Sequence, residues 1–251
     1  MISEQFLIDI ILKRDKVEDF SAFPFSLNAC RHLERLTLHP KVTFFVGENG
    51  SGKSTLLEAI AVANGFNPEG GSKNFGFSTR ASHSNLDKYI RCSKGVKKPR
   101  GGYFLRAESF YNVATEIEAL DTDEPGVRCS PPLIIDSYGG KSLHEQSHGE
   151  SFFALMLNRF SGKSLYILDE PEAALSPSRQ LSMMHRMHEL VLQDCQFLIA
   201  THSPILMAYP EADIQSFGTK GLEKTAYEDT EHYQVMKSFM NDPAGMINRL
   251  L

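Results

Sequence analysis

An α/β fold with a central, mostly parallel sheet is what this sequence predicts, and three stretches carry the prediction. Val42-Thr43-Phe44-Phe45-Val46 is an unbroken β-branched and aromatic run. Thr55 to Ala61 follows it with helical spacing of apolar residues. Leu165-Tyr166-Ile167-Leu168 and Gln196-Phe197-Leu198-Ile199-Ala200 are two further runs, each followed by polar residues. Such runs are strands buried on both faces, and open α/β sheets bind ligands beyond the C-terminal ends of those strands.

Between the first strand and its helix stands Gly47-Glu48-Asn49-Gly50-Ser51-Gly52-Lys53-Ser54, followed by Thr55. It fits the pattern G-x-x-x-x-G-K-[ST] without a mismatch. Strand, glycine loop and helix together wrap backbone N–H groups around a phosphate at a helix N-terminus. Gly47 to Thr55 are therefore the expected nucleotide-binding residues. Lys53 is expected to reach the β- and γ-phosphates, and the Ser54 hydroxyl to bind Mg²⁺.

Composition bounds the class. The chain has 251 residues, 41% hydrophobic and 23% charged, enough for one large domain. A net charge of −5 argues against binding polyanions by bulk charge. No apolar run reaches the roughly 18 residues that span a bilayer. Met1 to Leu12 has no basic segment ahead of its apolar stretch, unlike a secretory leader. Cys30, Cys92, Cys129 and Cys195 form no C-x-x-C pair and suit reduced thiols in a cytoplasmic protein.

Along the chain, Phe6 to Leu12 and Leu33 to Leu38 read as strands of an N-terminal antiparallel β portion. Arg31, Phe23 and Phe25 either stack on a base or serve packing. Gly65 to Gly102 is rich in Gly, Ser, Asn and Lys and reads as a surface insertion. From Lys73 to Arg100 it carries Lys73, Arg80, Lys88, Arg91, Lys94, Lys97, Lys98 and Arg100 against the acid Asp87, with Phe75, Phe77 and Tyr89 interleaved. This is either a nucleic-acid contact or a solvated face. Gly102 to Glu108 reads as a strand, Asn112 to Leu120 as a helix, and Asp121 to Pro132 as a loop. Ser147-His148-Gly149-Glu150 precedes the apolar helix Phe152 to Leu157, where Ser is a good cap and an anion is welcome. Ser178 to Val191 reads as a helix, and residues 205–251 read as less regular, with a helix near Tyr233 to Met240.

At the strand ends the chemistry collects. Asp169 is expected in the Mg²⁺ shell. Glu170, one residue on, points elsewhere and can orient or deprotonate an attacking water. His202, from a neighbouring strand end, can hydrogen-bond the γ-phosphate. Singly, each has a plain structural reading as a helix cap or a packed histidine.

In this order the motifs resemble the ABC-type ATPases, P-loop NTPases, and among them the SMC-like and small standalone bacterial AAA-family branch. Gly47 to Ser54 matches Walker A and Leu165 to Glu170 matches Walker B. Glu172-Ala173-Ala174-Leu175-Ser176-Pro177 is similar to the D-loop, and Ala200 to Pro204 to the switch-histidine segment. Ser147 to Glu150 resembles the Ser-Gly-Gly-Glu signature core, with His148 replacing the first glycine. The Q-loop glutamine is missing; Glu108 is its positional match and a candidate Mg²⁺ or water contact.

The resemblance implies an ABC-ATPase-type head over residues 1–251, with an insertion at about 65–102 and a helical signature subregion at about 109–160. It implies ATP and Mg²⁺ as cofactors, with Lys53, Glu170 and His202 catalytic. It also implies a homodimer in which Ser147, Gly149 and Glu150 of one chain complete the site of the other. The implied partner is nucleic acid or an effector protein, as in repair or phage defence. The alternative is the nucleotide-binding subunit of a membrane transporter. No sustained heptads mark a coiled-coil arm, and the stretch after His202 is too short for the nuclease domain of larger standalone relatives.

Overall fold

The computed structural model describes residues 5–73, 84–107, 110–121, 133–142, 144–145 and 147–251. The N-terminal half contains β1 (Leu7–Leu12), α1 (Asn28–Arg31), β2 (Arg35–Thr37), β3 (Val42–Gly47), α2 (Lys53–Ala63), α3 (Leu86–Tyr89), β4 (Ile90–Lys94) and β5 (Gly101–Arg106). After α4 (Phe110–Asp121) come α5 (His148–Asn158), β6 (Ser164–Asp169), α6 (Pro177–Leu192), β7 (Gln196–Ala200) and α7 (Pro204–Met207). The chain closes with β8 (Ala212–Gly218), β9 (Gly221–Thr225), α8 (Glu231–Asn241) and α9 (Pro243–Leu250).

Six strands form the central sheet in the order β5-β6-β7-β3-β8-β9. The first five are mutually parallel, and β9 returns antiparallel as a hairpin partner of β8. Alternate residues of the inner strands serve opposite faces. Val42, Phe44, Tyr166, Leu168, Phe197 and Ile199 point to one core, shared with α4, α5, α6 and α7. Phe45, Leu165, Ile167 and Leu198 point to the other, shared with α2 and the N-terminal sheet. Two covered faces are why these strands read as continuous apolar runs. Each fully buried side chain of this size contributes about 1.5–3 kcal/mol.

The second sheet is antiparallel, in the order β2-β1-β4. Gln196 fastens it to the central sheet. Its buried side-chain carbonyl accepts from the backbone N–H of Phe6 and Leu7 at 3.1 and 2.9 Å, and its amide donates to the carbonyls of Leu7 and His39 at 2.8 and 3.1 Å. A buried amide satisfied on both ends costs little to bury and fixes register.

The structure departs from the sequence reading in three places. Ile90 to Lys94, read within a surface insertion, is strand β4, because Ile90 turns into the core while Arg91 and Lys94 face solvent. The strand read over Leu33 to Leu38 is only β2, three residues long. The stretch after Pro204, read as less regular, also holds β8, β9 and α9, while α8 is the helix read near Tyr233 to Met240. Among the described residues no helix is long and apolar enough to cross a membrane.

Candidate functional site

The loop after β3 is shaped by glycines. Gly47, Gly50 and Gly52 have φ of 148°, 77° and 101°, a region that side chains rarely adopt. A Cβ on Gly47 would lie 2.9 Å from both the Cβ and the carbonyl oxygen of Phe217, so packing as well as conformation excludes a side chain there. Gly52 caps α2, whose first residues are Lys53 and Ser54.

Lys53 is buried, and its ammonium donates to the carbonyls of Gly47 and Glu48, both at 2.8 Å. Burial lowers its pKa, and the nearby carboxylates of Glu170, Asp169 and Glu172 act in the other direction. The Ser54 hydroxyl donates to Asp169 Oδ1 at 3.0 Å. Asp169 ends β6 and lies in register with Ala200 of β7 on one side and Arg106 of β5 on the other. Sequence reasoning missed Arg106, whose guanidinium meets Glu58 of α2 at 2.6 Å and so ties that helix to the strand beside Asp169.

Glu170 follows the strand in a left-handed conformation, φ 51° and ψ 52°. For a residue with a side chain this costs roughly 1–2 kcal/mol. It is held there by its N–H donating to the Ala200 carbonyl at 2.9 Å. Glu170 Oε1 lies 3.6 Å from His202 Nε2. The main-chain N–H of His202 donates to Glu172 Oε1, and burial raises the Glu172 pKa. On its other side, His202 Nδ1 lies 3.0 Å from Nε2 of His232, at the start of α8. His232 belongs to no motif, and no signal in the sequence pairs it with His202.

Ser147 caps α5 in a capping box. The Glu150 carboxylate accepts from the N–H and the hydroxyl of Ser147 at 3.0 and 2.6 Å, which lowers the Glu150 pKa. Gly149 packs so closely on the Pro171–Ala174 turn that a Cβ would lie 2.9 Å from the Ala174 carbonyl oxygen. Among the described residues no hydrogen bond or ion pair joins Ser147 or Glu150 to the glycine loop. The structure therefore brings Lys53, Ser54, Asp169, Glu170 and His202 together, and it places Ser147, Gly149 and Glu150 on the helix that abuts the turn after Glu170. Glu108 lies outside the described residues, as do Phe75, Phe77 and Arg80.

A cavity of about 660 Å³ opens over the loop. Its walls include Gly47 to Ser51, Ser26 to Asn28 of the N-terminal portion, Ser216 to Thr219 of the β8–β9 hairpin, and His232. Phe23, Phe25 and Arg31 do not line it. Phe25 is buried against Tyr89 with ring centroids 4.9 Å apart, Arg31 bonds the Phe20 carbonyl, and Phe23 faces solvent. Among the described residues no group of three or more His, Cys, Asp or Glu could by itself hold a metal ion. Mg²⁺ does not need one. It is bound by one or two protein oxygens together with substrate phosphates, and the oxygens of Ser54 and Asp169 are the hard donors it takes.

Comparison with known proteins agrees with this architecture. A family model described as an AAA domain matches residues 16–124. No curated protein matches the chain. Among solved structures, an ATP-binding cassette of an ABC transporter aligns at a TM-score of 0.50 and 18% identity, over 94% of this chain and 97% of that one. CbiO1 from Clostridium perfringens, part of the ABC transporter complex cbiONQ, aligns at 0.47 and 17% identity, over 98% and 99%. The SMC head domain from Thermotoga maritima aligns at 0.42 and 16%, over 88% of this chain and 98% of that one. The fold is that of the ATP-binding cassette aligned at a TM-score of 0.50.

Proposed function

We propose that this chain binds and hydrolyses ATP with Mg²⁺, and that it works as an ATP-gated homodimer controlling a nucleic-acid or effector-protein partner. The observation that carries the reading is the convergence of Lys53, Ser54, Asp169, Glu170 and His202 at one edge of the parallel sheet. In this reading the glycine loop presents N–H groups to the phosphates, and Lys53 leaves its two carbonyls to neutralise β- and γ-oxygens. Ser54 and Asp169 hold Mg²⁺, which when bound offsets charge on the phosphate oxygens. Glu170 orients the attacking water and takes its proton. His202 donates a hydrogen bond to the γ-phosphate. Ser147, with Gly149 and Glu150, comes from the second chain and closes the site.

Removing Lys53 deletes the one loop cation that faces the β- and γ-phosphates. Lys53→Ala should lose most ATP affinity in titration calorimetry, and Glu170→Gln should bind ATP normally but release phosphate at least 100-fold more slowly. Unchanged affinity in Lys53→Ala would refute the phosphate-loop assignment. Transporter cassettes share the fold, so the partner separates the two readings. Capture of an integral membrane protein by Glu170→Gln would favour the transporter alternative.

A further inference from the structure

His202 and His232 form a hydrogen-bonded imidazole pair, and the pair has an inner and an outer end. At the inner end, His202 Nε2 is buried, has no hydrogen-bond partner among the described residues, and lies 3.6 Å from the Glu170 carboxylate. At the outer end, His202 Nδ1 meets His232 Nε2 at 3.0 Å, with the rings inclined by 57°. His232 also lines both the cavity over the glycine loop and a second one of about 570 Å³ that opens between Glu48, His202, Pro204 and the apolar side of α8.

The outer histidine stands on an anchored helix start. It occupies the first turn of α8, which Thr230 caps by accepting from the Tyr233 N–H at 3.4 Å, while the Thr230 hydroxyl donates to the Tyr227 carbonyl at 2.7 Å. The Tyr227 hydroxyl donates to the Pro204 carbonyl at 3.0 Å, and its ring packs on Tyr233 at 4.7 Å. The segment after His202 and the start of α8 are thus fastened to each other.

A neutral imidazole carries one proton on two nitrogens, so in this pair one ring donates and the other accepts. If His202 Nδ1 donated to His232, its Nε2 would be a bare lone pair facing Glu170 and the incoming phosphate, which is repulsive. If His232 donates, His202 is left with its proton on Nε2, aimed inward as a hydrogen-bond donor. Burial lowers the pKa of both rings, so the neutral pair is the form present near pH 7. We propose that His232 is a positioning residue that fixes the tautomer and ring orientation of His202, so that Nε2–H is presented to the γ-phosphate, and that it links the nucleotide site to α8. This inference rests on the ATPase reading above for the identity of the inward ligand, but not for the tautomer.

Imidazole ¹⁵N NMR of the unmodified, nucleotide-free protein tests it, with His202→Gln used to assign the signal. The expected result is His202 with a protonated Nε2 and a bare Nδ1. In His232→Leu that signal should move toward a mixture of tautomers. With ATP, His232→Leu should lower kcat about 10-fold while KM and ATP affinity change less than about twofold. His232→Gln, whose side-chain amide can still donate, should restore most of kcat. A protonated Nδ1 on His202 in the unmodified protein overturns the proposal, as does full kcat in His232→Leu. Absence of ATP hydrolysis in the unmodified protein would instead count against the ATPase reading, and the NMR result would still stand or fall alone.

Discussion

Ser54 Oγ donates to Asp169 Oδ1 across 3.0 Å, closing a loop between residues 115 apart in sequence. The contact joins the first turn of α2 to the end of β6, the two motifs on which the nucleotide reading depends. Ser54→Ala removes a hydrogen bond to a carboxylate, worth about 1.5–3 kcal/mol. In the proposed chemistry it also removes a Mg²⁺ ligand. The Mg²⁺ concentration for half-maximal ATPase activity should rise at least 10-fold at saturating ATP. A Mg²⁺ titration indistinguishable from the unmodified protein would exclude Ser54 from the metal site.

Gly149→Ala tests the fit between α5 and the turn after Glu170. The new Cβ would meet the Ala174 carbonyl oxygen at 2.9 Å. Overpacking costs about 1–3 kcal/mol, and the better helix propensity of alanine offsets up to about 1 of it. The net loss should lower Tm by several degrees, given about 2–4 °C per kcal/mol for a chain of this size. Phosphate release should fall as well, since the displaced turn carries Glu172, which accepts from His202 N–H. An unchanged Tm would mean that the turn yields freely.

Acid should weaken the fold through His39. Its Nδ1 accepts from the backbone N–H of Lys41 and Val42, both at 3.2 Å, and burial is the main reason its pKa falls below the ordinary 6.5. A histidine depressed in the folded state contributes stability that is full above its unfolded pKa and is lost as pH falls through the folded value. Urea midpoints should therefore drop as the pH falls below about 6.5. In His39→Asn, whose side-chain carbonyl can accept the same bonds without titrating, that drop should be smaller. Equal slopes for the two proteins would assign the acid effect elsewhere.

The basic strand bears on the partner. Arg91 and Lys94 lie on β4, an edge strand of the N-terminal sheet, and Lys97, Lys98 and Arg100 follow it. If this edge meets nucleic acid, a DNA or RNA probe should be retained at low salt and lost steeply as salt rises. Reversing the charge of Lys94, Lys97, Lys98 and Arg100 should abolish retention. No retention by the unmodified protein at low salt would leave an effector protein as the proposed partner.

Much of the central sheet was legible because β3, β6 and β7 are buried on both faces and so carry unbroken apolar runs. The cap at Ser147 was legible because a capping box is local chemistry. What the sequence concealed is long-range. β8 takes its place beside β3 although Asp213, Gln215 and Ser216 dilute its apolar pattern, and the Gly218-Thr219-Lys220-Gly221 turn was the one local signal for its hairpin. β4 was hidden because charge dominates a strand with one solvated face. Gln196 and His232 act through partners far away in sequence, and no spacing rule reports such pairs. Of the two readings left open for Phe25, base stacking or packing, the core takes it, and the cavity wall is built from Ser26 to Asn28 and Phe217 instead.

The mass of Glu170→Gln with and without nucleotide tests the central claim most directly. Replacing the carboxylate by an amide keeps the shape of Glu170 but removes the base, so ATP should bind and persist. Light scattering with Mg-ATP should give about twice the 28.1 kDa chain mass, reverting to the nucleotide-free mass with ADP. Adding Ser147→Arg should prevent the increase while leaving ATP binding to the single chain intact. If Glu170→Gln binds ATP and stays at the nucleotide-free mass at high protein concentration, the composite ATP-gated dimer is wrong for this protein.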